Sequence, residues 1–197
     1  MDANTPSQRL AGKRVAVLMT DGVEQVEYVK PREFLEQHGA IVTLISPKNA
    51  GEHVQAVRQS EPGDSFRVDL DIREAKEEDY DALLLPGGAA NPERLRRSPE
   101  ALRFIKAFAD ELKMIAAICH GPALLIDAGV ARAKHLTSWP SLHRALEEAG
   151  AEWSDEEVVI DGRLITSRNP GDIPAFNDAI LKSLEIDPEV ADTGPSS

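Results

Sequence analysis

A cysteine that is followed by histidine, glycine and proline is the part of this sequence best suited to chemistry. Cys119 ends the apolar run MIAAIC, and Gly121 and Pro122 lead from it into the helical pattern PALLIDAG. A sharp turn from a strand into a helix exposes the side chain at its apex, and the positive end of the helix dipole favours a thiolate there. The spacing therefore favours a reactive thiol, although a lone cysteine can also be a small apolar residue packed at a strand end.

His120 follows the cysteine directly and is the first candidate for its general base. Adjacent residues usually point in different directions, so the sequence alone leaves this role open. The other four histidines lie in helical, loop or strand-edge patterns with polar neighbours. A surface or ordinary structural position is expected for each of them.

Two glutamates follow the first predicted strand. Glu24 and Glu27 are three residues apart and would share one face of a helix. A glutamate in a water-poor crevice has a raised pKa, stays protonated and could donate a hydrogen bond to a thiolate. Acids near a helix N-terminus can also simply complement the helix dipole, so both interpretations stay open.

A glycine pair, Gly87 and Gly88, ends the run LLLPGG. Glycines after a strand leave backbone N–H groups free to approach a substrate, as in an oxyanion hole, but they also serve simple turns. The glycine-rich loops typical of nucleotide-binding proteins are absent from the sequence. Nucleotide binding is therefore not expected.

Short apolar runs alternate with helical patterns along the chain. KRVAVLMT, a helical pattern that ends at Gly39, and AIVTLIS form a β-α-β unit, which is typical of a parallel sheet. The alternation predicts an α/β fold with a single doubly wound, mostly parallel sheet flanked by helices. In such a sheet ligands gather beyond the carboxyl ends of the strands, which would bring the glutamates, the glycine pair and Cys119 to one crevice.

Several features break this alternation. The sequence predicts a hairpin or excursion over residues 54–70, a short charged helix over 72–79 and a second hairpin around Asp161-Gly162. It predicts one domain over residues 13–185, between a flexible N-terminus (1–12) and a flexible C-terminal tail (186–197).

Bulk composition excludes several classes of protein. The formal net charge of −12 disfavours nucleic-acid binding, because phosphate backbones are repelled by an acidic protein. The single cysteine rules out an internal disulfide and a zinc site made of cysteines. No apolar run reaches the roughly 20 residues of a spanning helix, and the first residues lack the apolar stretch of a signal peptide. A soluble cytoplasmic protein without metal or cofactor is expected.

The segments AAICHGPALLIDAGV and LLLPGGAANPERLR resemble the PfpI-type intracellular protease I branch of the DJ-1/PfpI superfamily. The resemblance extends through DGVEQVEYVKPREFLEQHG, TSWPS and AGAEWSDEEVVIDGRLITSRNPGDIPAF, and covers residues 13–184. It implies a flavodoxin-like fold similar to that of the class I glutamine amidotransferases.

The resemblance also implies roles for particular residues. Cys119 would be the nucleophile with His120 beside it, Glu24 would hydrogen-bond the sulfur, and the oxyanion-hole glycine would be Gly88. In protease-like members an acid of a neighbouring subunit orients the histidine, and Glu93 is the best match here.

Trp139 stands where a pocket-lining aromatic residue is found in the family, although a tryptophan at this place could instead pack in the core. Members of the family are described as peptidases, as glyoxalases or deglycases acting on methylglyoxal and its adducts, and as stress or redox proteins. The resemblance therefore implies a stress-protective cysteine-dependent hydrolase that acts on a peptide or a small molecule. The alternative is a non-enzymatic redox sensor or chaperone that works through oxidation of Cys119. The family resemblance further implies a homodimer or higher homo-oligomer.

Overall fold

The computed structural model describes residues 8–185. The predicted C-terminal tail and residues 1–7 of the predicted flexible N-terminus lie outside the described residues. Within residues 8–12 of that predicted terminus, one residue is buried against the domain. Leu10 is fully buried, and its backbone N–H donates to the carbonyl oxygen of His38 at 2.8 Å.

A seven-stranded sheet forms the centre of the molecule. Numbered along the chain, the strands of the protein are β1 Arg14–Leu18, β2 Ile41–Ser46, β3 His53–Arg58, β4 Glu61–Arg67, β5 Leu70–Asp71, β6 Ala82–Leu85, β7 Met114–Ile118, β8 His135–Leu136, β9 Glu152–Trp153, β10 Val158–Asp161 and β11 Leu164–Ser167. The order in the main sheet is β10-β11-β7-β6-β1-β2-β5, and only the β10–β11 pair is antiparallel. The predicted fold class is confirmed.

Helices cover both faces of this sheet. They are α1 Gln25–Gln37, α2 Ala90–Leu95, α3 Pro99–Asp110, α4 Ala123–Asp127, α5 His143–Glu148 and α6 Ile173–Glu185. Every residue of β6 and β7 is buried, as expected for strands covered on both faces. One core packs α1 and α6 against the sheet, with Tyr28 and Phe176 among its members, and the other packs α3, α4 and α5 around Phe104 and Leu124.

Local signals in the sequence explain where several elements begin and turn. The hydroxyl of Ser98 accepts a hydrogen bond from the backbone N–H of Ala101 at 3.2 Å, and Pro99 opens α3. The Asp161-Gly162 turn joins β10 to β11 as predicted, and β3 pairs with β4 as the other predicted hairpin. The charged segment 72–79 forms a turn at 72–74 and a single 3₁₀ turn at Glu77–Asp79, and not the one short helix that was predicted.

Candidate active site

Three loops meet beyond the carboxyl ends of the central strands. They follow β1, β6 and β7, which are neighbours in the sheet. The loop after β7 packs closely against the end of β6 because residue 121 is a glycine. A Cβ on Gly121 would lie 2.3 Å from the carbonyl oxygen of Leu85. The sheet topology therefore places the loop of Cys119 directly against the glycine-pair loop.

Cys119 occupies the predicted elbow between β7 and α4. Its φ angle is +62°, a left-handed conformation that is uncommon for any residue except glycine. Its backbone is held on both sides: its N–H donates to Ser167 at 3.1 Å, and its carbonyl accepts from the N–H of Trp139 at 2.8 Å. A strained nucleophile fixed by the surrounding structure is typical of catalytic turns.

The sulfur of Cys119 lies among hydrogen-bonding groups although the residue is buried. His120 Nδ1 is 3.3 Å from Sγ, so the adjacent histidine does reach the thiol. The backbone N–H groups of His120 and Gly88 also point at the sulfur. Gly88 has a φ of +87°, and a Cβ there would lie 2.3 Å from the carbonyl oxygen of Gly22, so only glycine fits. This places two backbone donors where negative charge would form.

The carboxyl group beside the sulfur belongs to Glu27. This side chain is fully buried, and its Oε2 accepts the backbone N–H of Gly87 at 2.7 Å. The thiol of Cys119 lies next to the carboxyl group, and Oε1 is buried without a hydrogen-bonding partner among residues 8–185. A Cβ on Gly87 would fall 2.6 Å from Glu27 Oε2 and 2.9 Å from Cys119 Cβ. Gly87 is therefore the spacer that lets acid and thiol approach each other.

The prediction that Glu24 contacts the sulfur is corrected by this arrangement. Glu24 is the N-cap residue of α1, and both oxygens of its carboxylate lie 3.1 Å from the backbone nitrogen of Gln59 in the β3–β4 hairpin. The helical pattern offered a signal in favour of Glu27, which is four residues before Pro31 and eight before Leu35. All three of these residues are buried on the inner face of α1.

Burial gives the acid and the thiol unusual protonation properties. Removal from water raises the pKa of Glu27 from 4.5 to about 8, against the opposing effect of its hydrogen bonds. Burial and the negative charge of an ionised Glu27 raise the pKa of the Cys119 thiol, whereas the N–H groups of His120 and Gly88 lower it. At neutral pH Glu27 is protonated, so it adds no charge and its carboxyl proton can be donated to the sulfur.

His120 is sandwiched between the thiol and an aromatic side chain. Its ring stacks on Trp139 with centroids 5.5 Å apart and planes 25° apart. Burial lowers the pKa of His120, so the neutral imidazole that can accept a proton is favoured. Trp139 is 39% exposed, which excludes the alternative of a core tryptophan and leaves its outer face open beside the site.

Glu93 does not belong to the site within a single chain. It lies on α2, its side chain is 58% exposed, and it pairs with Arg96 at 3.0 Å. Among residues 8–185, the only side-chain hydrogen bond of His120 is the one to Cys119. A role for Glu93 would therefore require a neighbouring subunit.

The described residues offer neither a metal-binding cluster nor a membrane-spanning helix. Within residues 8–185 no group of three or more His, Cys, Asp or Glu side chains is arranged to hold a metal ion. None of the helices in that range is both long and apolar enough to cross a bilayer. The chemistry available from the described side chains is that of a thiol, an imidazole, a protonated carboxyl group and backbone N–H donors.

Comparison with known proteins finds relatives that align with most of this chain. YraA of Bacillus subtilis, whose name proposes a cysteine protease, is 38% identical over 173 residues, which are 88% of this chain and 99% of that protein. A deglycase of Pyrococcus abyssi is 39% identical over 172 residues, 87% of this chain and 99% of the relative. General stress protein 18 of Bacillus subtilis is 39% identical over 175 residues, with coverage of 88% and 99%.

Solved structures with a similar fold include proteins of the DJ-1/ThiJ/PfpI type. A two-domain protein of Anabaena variabilis, with DJ-1/ThiJ/PfpI-like and ferritin-like domains, superimposes with a TM-score of 0.83 at 34% identity. The match covers 93% of this chain but 52% of that protein, so the chain spans about half of its length. DJ-1beta of Drosophila melanogaster gives a TM-score of 0.80 at 29% identity, covering 91% of this chain and 94% of that one. The model of the DJ-1/PfpI family matches residues 13–183, and the chain belongs to this family.

Proposed function

We propose that the protein is a cysteine-dependent hydrolase of stress defence that processes methylglyoxal or its adducts, as a glyoxalase or deglycase. The observation that carries this proposal is the sulfur of Cys119, which lies on a strained elbow next to a protonated Glu27, the imidazole of His120 and two backbone N–H groups. Relatives named as a deglycase and as a general stress protein support the same direction.

The arrangement supports a balanced sequence of bond changes for a 2-oxoaldehyde. His120 takes the thiol proton as the sulfur adds to the aldehyde carbon, the carbonyl electron pair moves to oxygen, and this oxygen takes a proton from His120 or Glu27. The same groups then move the hydrogen of that carbon, as a proton, to the neighbouring carbonyl carbon, while the proton of the new hydroxyl group passes to the second oxygen, which yields a 2-hydroxy thioester. Water cleaves the S–C bond and releases a 2-hydroxy acid and the thiol, so the net reaction consumes one water.

A small carbonyl substrate fits a single chain better than a peptide does. Expulsion of an amine from a peptide requires an oriented imidazolium, as in cysteine and serine proteases. Here the side chain of His120 is held by the thiol and by stacking on Trp139, with no acid of residues 8–185 hydrogen-bonded to it. Peptidase activity, which the name of YraA suggests, would depend on Glu93 of a second subunit.

Glu27 also favours a second candidate function, a redox sensor or chaperone without turnover. A protonated carboxyl group next to the sulfur can donate to the oxygens of an oxidised cysteine and hold it at the sulfinic stage. In that case the protein would turn over neither methylglyoxal nor a peptide. Peroxide would oxidise Cys119, and the measured intact mass would show the added oxygen atoms. Glu27→Gln would alter the distribution of these products, whereas Glu24→Gln would leave it unchanged.

The experiment that tests the proposed function measures turnover of methylglyoxal, a glycated amino acid and a peptide in parallel. Wild-type protein is compared with the same protein after alkylation of its single cysteine. We expect methylglyoxal or its adduct to be consumed by the free thiol and not by the alkylated protein. Turnover of the peptide alone would replace the proposal by a peptidase, and turnover of none of the three would favour the redox function.

We also propose, on the basis of the family resemblance, that the protein is a homodimer or a higher homo-oligomer. Symmetric dimers are also the commonest oligomers. Sedimentation velocity is expected to give a mass of at least twice the 21.5 kDa of the chain. Glu93→Gln should then reduce peptidase activity, if any is found, without changing consumption of methylglyoxal. A monomer at all concentrations tested would contradict the assembly and would remove Glu93 from the site.

A further inference from the structure

Asn91 is a fully buried polar residue on α2 that touches neither the thiol nor open solvent. Its Nδ2 donates to two consecutive carbonyl oxygens of the glycine-pair loop, Pro86 at 3.0 Å and Gly87 at 3.1 Å. Its Oδ1 accepts the backbone N–H of Thr20, after β1, at 2.8 Å. One amide group therefore joins the end of β1 to the loop that faces Cys119.

The orientation of this amide is fixed by its partners. An asparagine side chain offers two N–H donors and one oxygen acceptor, and all three are used in the contacts of Asn91. A flipped amide would place its oxygen against two carbonyl oxygens and its N–H groups against the N–H of Thr20. Because the side chain is fully buried, no solvent could compensate for that loss.

The two carbonyl groups that Asn91 holds belong to the peptide units that serve the active site. In a planar trans peptide, the C=O of one residue and the N–H of the next point in opposite directions. The carbonyl of Pro86 shares its peptide with the N–H of Gly87, which donates to Glu27 at 2.7 Å. The carbonyl of Gly87 shares its peptide with the N–H of Gly88, which points at the sulfur of Cys119.

The second of these peptides has a further anchor. The carbonyl oxygen of Gly87 also accepts the backbone N–H of Glu24 at 3.3 Å. The first peptide has none beyond Asn91, because Pro86 O is held by no other contact among residues 8–185. Loss of the side chain of Asn91 would therefore free the Pro86–Gly87 peptide and weaken the restraint on the Gly87–Gly88 peptide.

We propose that Asn91 is a positioning residue. Its side chain donates to two carbonyl groups of the glycine-pair loop and thereby orients one backbone N–H towards Glu27 and the next towards the sulfur of Cys119. A single amide thereby couples the protonation of the acid to that of the thiol. The inference concerns the same site as the proposed function, but it rests on that function only for the measurement of turnover.

Asn91→Ala tests this role through the thiol itself. The protein has one cysteine, so the ultraviolet absorbance of thiolate reports Cys119 alone. We expect the thiol pKa to rise by about 0.5–1 unit, because the thiolate loses part of a backbone hydrogen bond. We expect kcat to fall roughly 10-fold, with KM nearly unchanged, because Asn91 does not touch the substrate.

Asn177→Ala is the matched control. Asn177 is also a buried asparagine, but it lies on α6, outside the active-site loops. Its replacement should alter thermal stability without moving the thiol pKa. Should Asn91→Ala fail to fold, Asn91→Ser keeps a hydroxyl that can reach one carbonyl and should show a smaller rise. A folded Asn91 variant with a wild-type thiol pKa and a lowered melting temperature would overturn the inference, and the titration decides this even if no substrate is turned over.

Discussion

Cys119→Ala is expected to lose turnover of every substrate that the wild-type protein consumes, by about 10⁴-fold or more. The reason is that Cys119 is the single cysteine of the chain, and the proposed mechanism begins with a bond formed by its sulfur. The fold should persist, because alanine tolerates the φ of +62° no worse than cysteine does. The loss of a small buried side chain and of the acceptor for two N–H groups should cost about 1–2 kcal/mol of unfolding free energy.

Two variants separate this expectation from its alternatives. Cys119→Ser keeps an acceptor for the N–H groups but removes the sulfur nucleophile, so its stability should approach that of the wild type while turnover stays absent. Ser154→Ala is a control for loss of a hydroxyl away from the site, since this hydroxyl donates to Glu156 at 2.9 Å and lies 2.8 Å from His135 Nε2. Full activity in Ser154→Ala together with none in Cys119→Ala would support the thiol mechanism, and retained turnover in Cys119→Ala would refute it.

Glu27→Gln is expected to change how the stability of the protein depends on pH. The carboxyl group has a pKa of about 8 in the folded chain and about 4.5 when unfolding exposes it. Between these values the folded state holds a proton that the unfolded state releases, so wild-type stability falls as pH rises. The fall is about 1.4 kcal/mol per pH unit, on the order of 5 kcal/mol over the whole window.

Glutamine removes this pH dependence because it cannot ionise. Its carbonyl oxygen can still accept the N–H of Gly87, and its amide fills a volume similar to that of the protonated acid. In urea denaturation from pH 5 to pH 9, the unfolding free energy of Glu27→Gln should therefore rise relative to that of the wild type up to about pH 8. Glu24→Gln is the matched control, and it should keep most of the wild-type pH dependence, because the charge of Glu24 is the smallest of the contributions to the pKa of Glu27. Parallel curves for the wild type and Glu27→Gln would show that Glu27 ionises normally in the folded state.

The fold could be predicted because its signals are local. Continuous apolar runs such as ALLL and MIAAI, separated by helical patterns, leave few arrangements other than a doubly wound parallel sheet. The elbow at Cys119 followed from the same logic, since a strand, a small residue and a proline define it without reference to the rest of the chain. Helix α2 was not predicted, because Gly-Gly before it and Asn-Pro within it are typical of loops.

The details of the site depend on contacts that the sequence does not display. Glu24 and Glu27 would share nearly one face of a helix, so choosing between them required knowing where α1 begins, with Glu24 as its N-cap residue and Glu27 in its buried first turn. In the sequence Asn91 looks like a turn residue. Its hydrogen-bonding partners are Thr20, 71 positions away, and carbonyl groups a few positions away in its own loop. Long-range hydrogen bonds of this kind are visible only once the chain is folded.

The left-handed backbone of Cys119 has a consequence for any laboratory that wishes to make a more robust version of this protein. A non-glycine residue in that conformation costs roughly 1 kcal/mol or more relative to glycine, which would offset much of the stability lost with the buried cysteine side chain. A library screened only for heat resistance would thus tend to retain inactive Cys119→Gly clones. Selection for durability must therefore be combined at every round with selection for a working thiol, since stability alone discriminates weakly at this one position.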